Sequence, residues 1–294
     1  MIHPVRRVLI ANPWASGVDE ERLASVRAAL PEGTELRLTS VRGEATALAH
    51  EIAGRVDVLY VFGGDGTYNE VLNGIDATTP LGFIPGGGTS VLPRALGLPR
   101  EPVAAARQLV ARARPRQIAV GRVNGHRFGF ASGIGLDAEV VRAVDALGRR
   151  SDGRRPGNLA FAWTGVRTLS RHRYRLDPAL EVKGFGRVAF ALVQNGPAYT
   201  YAGPVALQPA PEASFEGGLD LVAPMRVRAR NLPRIARYAL GSRDSDGDFI
   251  RVHDADRLEL VCDRPLALQA DGEDLGDVEF AVFEAERAAV TVLA

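Results

Sequence analysis

Three glycines around one carboxylate, Gly63-Gly64-Asp65-Gly66, followed by Thr67 and Glu70, are the residues of this chain best suited to handle a phosphate. Glycine lets the backbone turn sharply and lets its N–H groups approach a bulky anion. Thr67 and Glu70 have the spacing of a capping box, which predicts a helix starting at Thr67 with its positive dipole end facing whatever sits over the glycines. A bare phosphate would be repelled by Asp65, so the pattern asks for a bridging Mg²⁺ held by that carboxylate directly or through water. Taken alone, the same residues also make an ordinary tight turn between a strand and a helix.

Two further loops move the balance toward a nucleotide. Pro85-Gly86-Gly87-Gly88-Thr89-Ser90 is a second glycine-rich run, and Asn12-Pro13-Trp14-Ala15-Ser16-Gly17 is a third segment of turn residues. Each follows a short apolar run: Arg7 to Ala11, Val56 to Phe62, and Leu81 to Pro85. Between the runs, Glu20 to Leu30, Glu44 to Ala53 and Asn69 to Asn73 have helical composition, as does Glu101 to Arg112 beyond them. Strand and helix alternating in this way predict a parallel sheet covered by helices, in which ligands bind outside the carboxyl ends of the strands. After Pro115 the texture changes to β-branched and aromatic runs such as Arg187 to Val193 and Leu258 to Val261, interrupted by helical stretches at Asp137 to Leu147 and Leu232 to Leu240. The expected fold is therefore α/β, with a three-layer α/β nucleotide-binding domain over residues 1–117 and a β-rich domain over 118–287. The terminal strand-like segment 288–294 is free to rejoin the first domain.

Composition narrows the partners. Thirty-six basic against thirty-five acidic side chains give a formal charge of +1, which is no footprint for a dedicated nucleic-acid binder. Cys262 is the only cysteine, which excludes a disulfide framework and fits a reducing, cytoplasmic setting. The first apolar run is broken at Asn12-Pro13, too short for a signal-peptide core. The longest charge-free stretch, Val188 to Pro211, is interrupted by Gln194, Asn195, Pro197 and Pro204, so no transmembrane segment is expected and any membrane contact is peripheral. Lys183 is the only lysine and lies outside any P-loop sequence. Charge neutralisation thus falls to arginine, with Arg94 close to the second loop, to Mg²⁺ and to backbone dipoles. Gly133-x-Gly135-x-x-Ala138 matches a short dinucleotide fingerprint, but the acid such a motif needs would fall in the polar loop near Asp152, and close packing at a strand end explains the glycines equally. The arginine groups at Arg149-Arg150, Arg154-Arg155 and Arg171 to Arg175 read as a solvated face or as contacts to anionic headgroups.

With these segments assembled, the chain resembles the catalytic domain of the diacylglycerol kinase family, which includes bacterial lipid kinases and sphingosine kinases and is similar in its nucleotide domain to NAD kinases. The resemblance rests on Asn12 to Gly17, Gly63 to Gly74, Pro85 to Pro99, Gly133 to Ala138, Asn195-Gly196, Gly217 to Leu221, and Asp271-Gly272-Glu273, in family order. It implies an α/β nucleotide domain followed by a β-sandwich-like domain that takes the lipid. It further implies that ATP is held by Asn12, Gly17, Thr39, Gly63, Gly64, Gly66, Thr67, Gly87, Gly88 and Thr89. Asp65 and Asp220 are the implied Mg²⁺ ligands, and Asp65, Asp271 and Glu273 the implied catalytic acids. The chain departs from the family in the second loop, where Ser90 and Val91 stand in place of an Asn-Asp pair, and at Glu216, where aspartate is common. Asp271 is the candidate to accept the proton of the acceptor hydroxyl, with Glu273 beside it and Asp220 next in line. An Asp-Gly dipeptide also favours a hairpin turn anywhere, a role that asparagine would fill as well. The implied activity is transfer of the γ-phosphoryl group of ATP to a lipid hydroxyl, diacylglycerol first, at a membrane surface. An NAD-kinase-like enzyme with a soluble acceptor and a catalytically silent regulator are the rival readings, and a homodimer is left open.

Overall fold

A computed structural model describes residues 5–148, 158–241 and 247–294. The arginine-rich loop expected at Arg149 to Pro156, with Arg149, Arg150, Arg154, Arg155 and the acid near Asp152, lies outside the described residues. The chain divides into two units, Met1–Ala119 with Arg287–Ala294, and Val120–Glu286.

In the first unit, strands β1 (Arg7–Ala11), β2 (Glu35–Leu38), β3 (Val58–Gly63) and β4 (Leu81–Pro85) form a parallel sheet in the order β2-β1-β3-β4. Val292, near the end of the chain, pairs in parallel beside Leu81 on the far side of β4. The helices are α1 (Glu20–Ala29), α2 (Glu44–Ile52), α3 (Asp65–Gly74), the short α4 (Val91–Ala95) and α5 (Pro102–Ala111). Side chains alternate across a strand, and Leu9 and Ala11 of β1 pack with Val26 of α1 and Ala105, Ala106 and Leu109 of α5. Val8 and Ile10, just as buried, point to the opposite face. Three layers result. β2 escaped the sequence reading because Glu35 and Arg37 break up its apolar character, as suits an edge strand that is only half-buried.

Local capping fixes where these helices begin. Asp19 accepts from the Arg22 amide ahead of α1, and Glu101 accepts from the amides of Val103 and Ala104, with Pro102 in the first turn of α5. The capping box expected from Thr67 and Glu70 does not form. Helix α3 starts two residues earlier, at Asp65 with Gly64 as its N-cap, so Glu70 lies a turn too far along to reach back. Its carboxylate instead accepts from the amides of Gly43 (2.9 Å) and Ala45 (3.1 Å), capping the neighbouring helix α2.

In the second unit, β5 (Pro115–Val123) enters from the first and pairs with β6 (His126–Phe128). Next come β7 (Ala131–Ile134), helix α6 (Leu136–Asp145), helix α7 (Asn158–Arg171) and β8 (Arg175–Leu176). Strands β9 (Leu180–Val182), β10 (Gly186–Val188), β11 (Ala191–Gln194), β12 (Thr200–Ala202), β13 (Val205–Leu207), β14 (Leu219–Pro224) and β15 (Val227–Arg228) follow, then α8 (Leu232–Ala239). Strands β16 (Phe249–Ala255), β17 (Arg257–Ala270) and β18 (Glu273–Leu293) complete the chain, the last carrying it back to the first unit. The main order is the antiparallel β16-β14-β11-β7-β17-β18, with β9 also on β17 and β10 on β9. Val182, Val188, Val193, Leu221, Leu260 and Phe283 close one aliphatic core over which these strands fold. The single strand expected over Arg187 to Val193 is broken at Ala189-Phe190, where both side chains turn into a separate small cluster. Helix α7 was missed because Gly165 and Trp163 dilute its helical pattern. No helix among the described residues is long and apolar enough to cross a membrane.

Gly74, the last residue of α3, is a glycine for a packing reason. A Cβ there would lie 2.2 Å from the Thr46 carbonyl oxygen of α2, so the two helices approach as closely as they do only because position 74 has no side chain. Gly74→Ala should lower unfolding free energy by about 1–3 kcal/mol through overpacking against backbone. A denaturant midpoint equal to that of the parent would refute this.

Candidate active site

From β1 the chain moves outward to β2, then returns across β1 to β3 on its other side. The carboxyl ends of β1 and β3 are therefore the switch point of the sheet, where two loops diverge and leave a crevice. Asn12 to Gly17 leaves β1 there, and Gly64 to Gly66 leaves β3 straight into α3. The Pro85 to Ser90 loop leaves the adjacent β4.

Backbone contacts join the three loops. The Gly17 amide donates to the Gly86 carbonyl (2.8 Å), and the Gly86 amide donates to the Gly63 carbonyl (2.7 Å). A Cβ on Gly17 would lie 2.9 Å from the Gly86 oxygen, one on Gly86 2.9 Å from the Gly63 oxygen, and one on Gly87 2.8 Å from the Gly64 Cα. One on Gly63 would strike Thr67 Oγ1 at 2.7 Å. Asn12 Nδ2 donates to that same Oγ1 (2.9 Å), while Asn12 Oδ1 accepts from the Trp14 amide (2.9 Å), so one side chain ties the first loop to α3. Thr39 is buried at the end of β2, its amide on the Ala11 carbonyl (3.0 Å). Gly66 lies in the first turn of α3.

Asp65, the first residue of α3, places Oδ1 2.6 Å from the Val91 amide and so clamps the start of α4. Ser90, just ahead, sits in the left-handed region at φ 48°, and its hydroxyl closes onto the Gly87 backbone at 3.2 Å. Asparagine tolerates that conformation well, a physical reason for the family's asparagine at this place. Val91, where the resemblance implies an aspartate, is buried, and its amide donates to Asp65. Gly88 differs from its neighbours: it is exposed and a Cβ there would meet nothing within 4 Å. Arg94 reaches back to the Thr89 carbonyl (3.4 Å).

Sequence reasoning passed over Tyr68. Fully buried beneath the loops, its hydroxyl lies 2.6 Å from the Gly63 carbonyl and 2.8 Å from that of Ile84, bracing the ends of β3 and β4. Burial, with the Asp65 charge adding to it, holds its phenol un-ionised far above the usual range. Its one signal in the sequence is a hydroxyl on an otherwise buried helix face.

The second unit carries its own polar constellation. Asp271 and Gly272 are the two turn residues of the β17–β18 hairpin, both at positive φ (49° and 79°), so the Asp-Gly turn is real. The Asp271 carboxylate is nevertheless buried, with Oδ2 accepting from the Gly129 amide (2.6 Å) and Oδ1 from Phe130 (3.0 Å) and Ala131 (3.2 Å). The expectation that asparagine would serve a turn here equally well is corrected by this geometry. Both oxygens face N–H donors, and an amide must turn its own NH₂ toward one of them. Glu273 opens β18 and is half-buried, its charge felt by His126.

Asp137 is another enclosed acid, and its Oδ2 accepts from both Tyr199 Oη (2.6 Å) and Gln269 Nε2 (2.8 Å). A Cβ on Gly133 would lie 2.2 Å from that oxygen, so the Gly133-x-Gly135 pattern makes room for this network rather than for a dinucleotide. Burial pushes the Asp137 carboxyl up, against the pull of its two hydrogen bonds. Asp220, an implied metal ligand, is buried on β14 with Oδ1 2.5 Å from His253 Nδ1. Burial raises the Asp220 carboxyl, and the hydrogen bond to that carboxylate raises the His253 imidazole. Its carboxylate thus serves a histidine, and no group of three or more His, Cys, Asp or Glu gathers as a metal cage among the described residues.

The family model described as the diacylglycerol kinase catalytic domain matches residues 6–123. A diacylglycerol kinase of Bacillus subtilis (strain 168) is 31% identical over 247 residues, which cover 82% of this chain and 79% of that one. The chain belongs to the diacylglycerol kinase catalytic-domain family. As a member of this lipid-kinase family it shares its fold with a diacylglycerol kinase from Bacillus anthracis str. Sterne, at a TM-score of 0.71 and 21% identity over 98% of this chain and 96% of the other. An NAD kinase from Archaeoglobus fulgidus, solved in complex with ATP, shows the same fold more distantly, at a TM-score of 0.51 and 12% identity, covering 98% and 93% of the two chains.

For this family member the two enclosed acids of the second unit should answer amide substitution in opposite ways. Asp271→Asn leaves a buried donor facing a donor and should cost about 1–3 kcal/mol of stability. Asp137 receives both its hydrogen bonds on one oxygen, which the asparagine carbonyl can replace. Its folded-state carboxyl is raised, so its contribution to stability is full below the unfolded value and is lost as pH rises through the folded one. Asp137→Asn should therefore gain on the parent between acidic and neutral pH. Thermal melts across that range check both variants, and a parallel response of the two would contradict the assignment.

Proposed function

We propose that this chain transfers the γ-phosphoryl group of ATP to the hydroxyl of a membrane-derived lipid, diacylglycerol first among the acceptors, with Mg²⁺ as the assisting ion. The observation that carries the reading is the seam of glycine loops at the switch point of the first unit. Gly17, Gly63, Gly86 and Gly87 are explained by close packing at the seam, whereas a Cβ on Gly64 would make an ordinary contact at 3.5 Å and one on Gly88 would meet nothing within 4 Å, so packing among the described residues requires a glycine at neither. A ligand approaching the exposed Gly88-Thr89 backbone would require one, and a triphosphate fits the amides and α3 N-terminus there. The Bacillus subtilis relative's name supplies the acceptor, and the ATP bound to the archaeal NAD kinase supports the donor.

Phosphoryl transfer is largely positioning and charge stabilisation, which suits a site of backbone amides with few side chains. Asn12, Gly17, Thr39, Gly63, Gly64, Gly66, Thr67, Gly87, Gly88 and Thr89 would line the nucleotide. Asp65 would hold Mg²⁺, an ion that commonly takes one or two carboxylates together with substrate phosphates, and its donor set here fits that habit. The ion would supply charge neutralisation on the phosphates. Asp220 stays a proposed metal ligand through its second carboxylate oxygen, since His253 engages Oδ1. Asp271 is the proposed acceptor of the hydroxyl proton, with three amides fixing the orientation of its carboxylate. Glu273, at the same hairpin, would steady the charge there. The protein would work from the cytoplasm, peripherally on the membrane, in phospholipid metabolism.

Labelled ATP incubated with a panel of lipids, with NAD and with buffer alone tests the reading by where the label appears. Label in a lipid, diacylglycerol above the rest, is expected, whereas label in NAD would move the acceptor to a soluble nucleotide. Gly88→Ala should leave the melting temperature unchanged and raise the KM for ATP about tenfold, the effect of roughly 1.4 kcal/mol of lost binding. Asp65→Asn keeps an oxygen for the Val91 amide, so it should stay folded and lose most of kcat. Asp271→Asn, assayed well below its melting temperature, should keep ATP affinity while lipid phosphorylation falls by ~10²–10⁴. Turnover that merely tracks the folded fraction would reduce Asp271 to an anchor.

A further inference from the structure

We infer that α7, the β8–β15 ribbon and α8 of the second unit form one continuous docking face for an anionic bilayer, with arginine as its charge and Trp163 as its apolar contact. The inference rests on the lipid-kinase reading for its purpose but on the second unit alone for its structure. Residues 225–240 contain five arginines and no acid, and residues 163–176 contain four arginines, one histidine and no acid. The two segments are distant in sequence yet joined in the fold. β8 and β15 pair antiparallel with Leu176 opposite Val227 and Arg175 opposite Arg228, and Leu169 of α7 and Leu232 and Ile235 of α8 all pack against the same small cluster of Ala189, Phe190 and Val227.

Each helix buries one side and leaves the other to solvent. In α7, Thr164 and Thr168 are buried, whereas Trp163, Val166, Arg167, Ser170 and Arg171 recur at the spacing of a single exposed face. Trp163 is 70% exposed and Val166 51%, an unusual position for an indole unless something apolar covers it. In α8, Tyr238 is buried against Phe249, while Arg234 and Arg237 stand outside, and Leu240, 62% exposed, follows. An amphipathic helix with arginine on its polar side and large apolar residues at the margin is the composition of an interfacial element. Tryptophan at headgroup depth is the usual anchor.

Among the described residues the local charge is only partly cancelled. Asp177 serves both Arg175 and Arg228, Asp248 serves Arg234, and Glu139 serves His172. Arg167, Arg171, Arg173, Arg226 and Arg230 form no ion pair among the described residues. Arg175 stands opposite Arg228 in register, and Asp177 takes both guanidinium groups, one on each carboxylate oxygen. The whole chain carries only +1, so these two acid-free segments are a local excess of positive charge, and an extended anionic plane matches it.

The test is cosedimentation of the full chain with vesicles of phosphatidylcholine alone and of phosphatidylcholine mixed with phosphatidylglycerol, at low and high salt. The parent should bind the anionic vesicles only, and salt should weaken the binding. Arg171→Gln, Arg173→Gln, Arg226→Gln and Arg230→Gln combined should lower anionic-vesicle affinity on the order of 600-fold, at about fivefold for each charge. Trp163→Ser should weaken it further without changing the salt slope. Melting temperatures show that the variants fold, and phosphorylation of a short-chain, water-soluble lipid should be unchanged by all of them. Equal binding to neutral vesicles, retention of anionic binding by the combined variant, or equally tight binding of a single-stranded RNA would each overturn the inference. Failure of the lipid-kinase reading looks different: no lipid is phosphorylated while vesicle binding persists.

Discussion

The Gly63 carbonyl receives both the Gly86 amide and the Tyr68 hydroxyl, and the rest of the first unit's candidate site follows from that double acceptance. It fixes the end of β3 against the end of β4 while a buried phenol braces both from below. Gly86 then offers its own carbonyl to Gly17, which brings in the loop from β1. A chain of peptide groups at such separations leaves no room for Cβ atoms, so the glycines are a steric requirement of the seam before they are anything for a ligand. The amides not used in the seam are left at the switch point of a parallel sheet, where helix N-termini already favour negative charge.

Carboxylates in this protein act first as anchors. Asp65 holds the start of α4, Glu70 caps α2 from α3, and Asp271 gathers three consecutive amides at the entrance to β7. Asp137 and Asp220 are each paired with a side chain, Tyr199 and His253. Enclosed acids need such partners because desolvation of a charge without them is costly. An acid that is fixed in place by its hydrogen bonds is also well placed to meet a substrate, so anchoring and chemistry do not compete for the same residue; they differ in which lone pairs are engaged.

Arginine takes nearly all the basic positions, with Lys183 the only lysine. Its fork allows two acids or two carbonyls to be served at once, as Arg228 does with the Leu176 and Val227 carbonyls and Asp177, and as Arg142 does with Asp274 and Asp277. Where the acids run out, on α7 and around α8, the same residue type leaves a positive face.

What the sequence determined by itself is what local rules govern. Apolar runs broken by glycine and proline marked β1, β3 and β4, helical composition marked Glu20 to Leu30 and Glu101 to Arg112, and the ordered glycine motifs marked the family, because each signal acts within a few residues. The sequence also showed that Asp271-Gly272 suits a hairpin. Only the tertiary structure decided the partners: that Glu70 caps another helix, that Gly74 exists for Thr46, that Asn12 reaches Thr67, that Tyr68 supports two strand ends, and that Asp271 is buried as well as turning the chain. The physical reason is range. A cap or a turn is chosen by neighbours along the chain, whereas a hydrogen-bond partner dozens or more than a hundred residues away is chosen by how strands are ordered in a sheet, and no local spacing encodes that order.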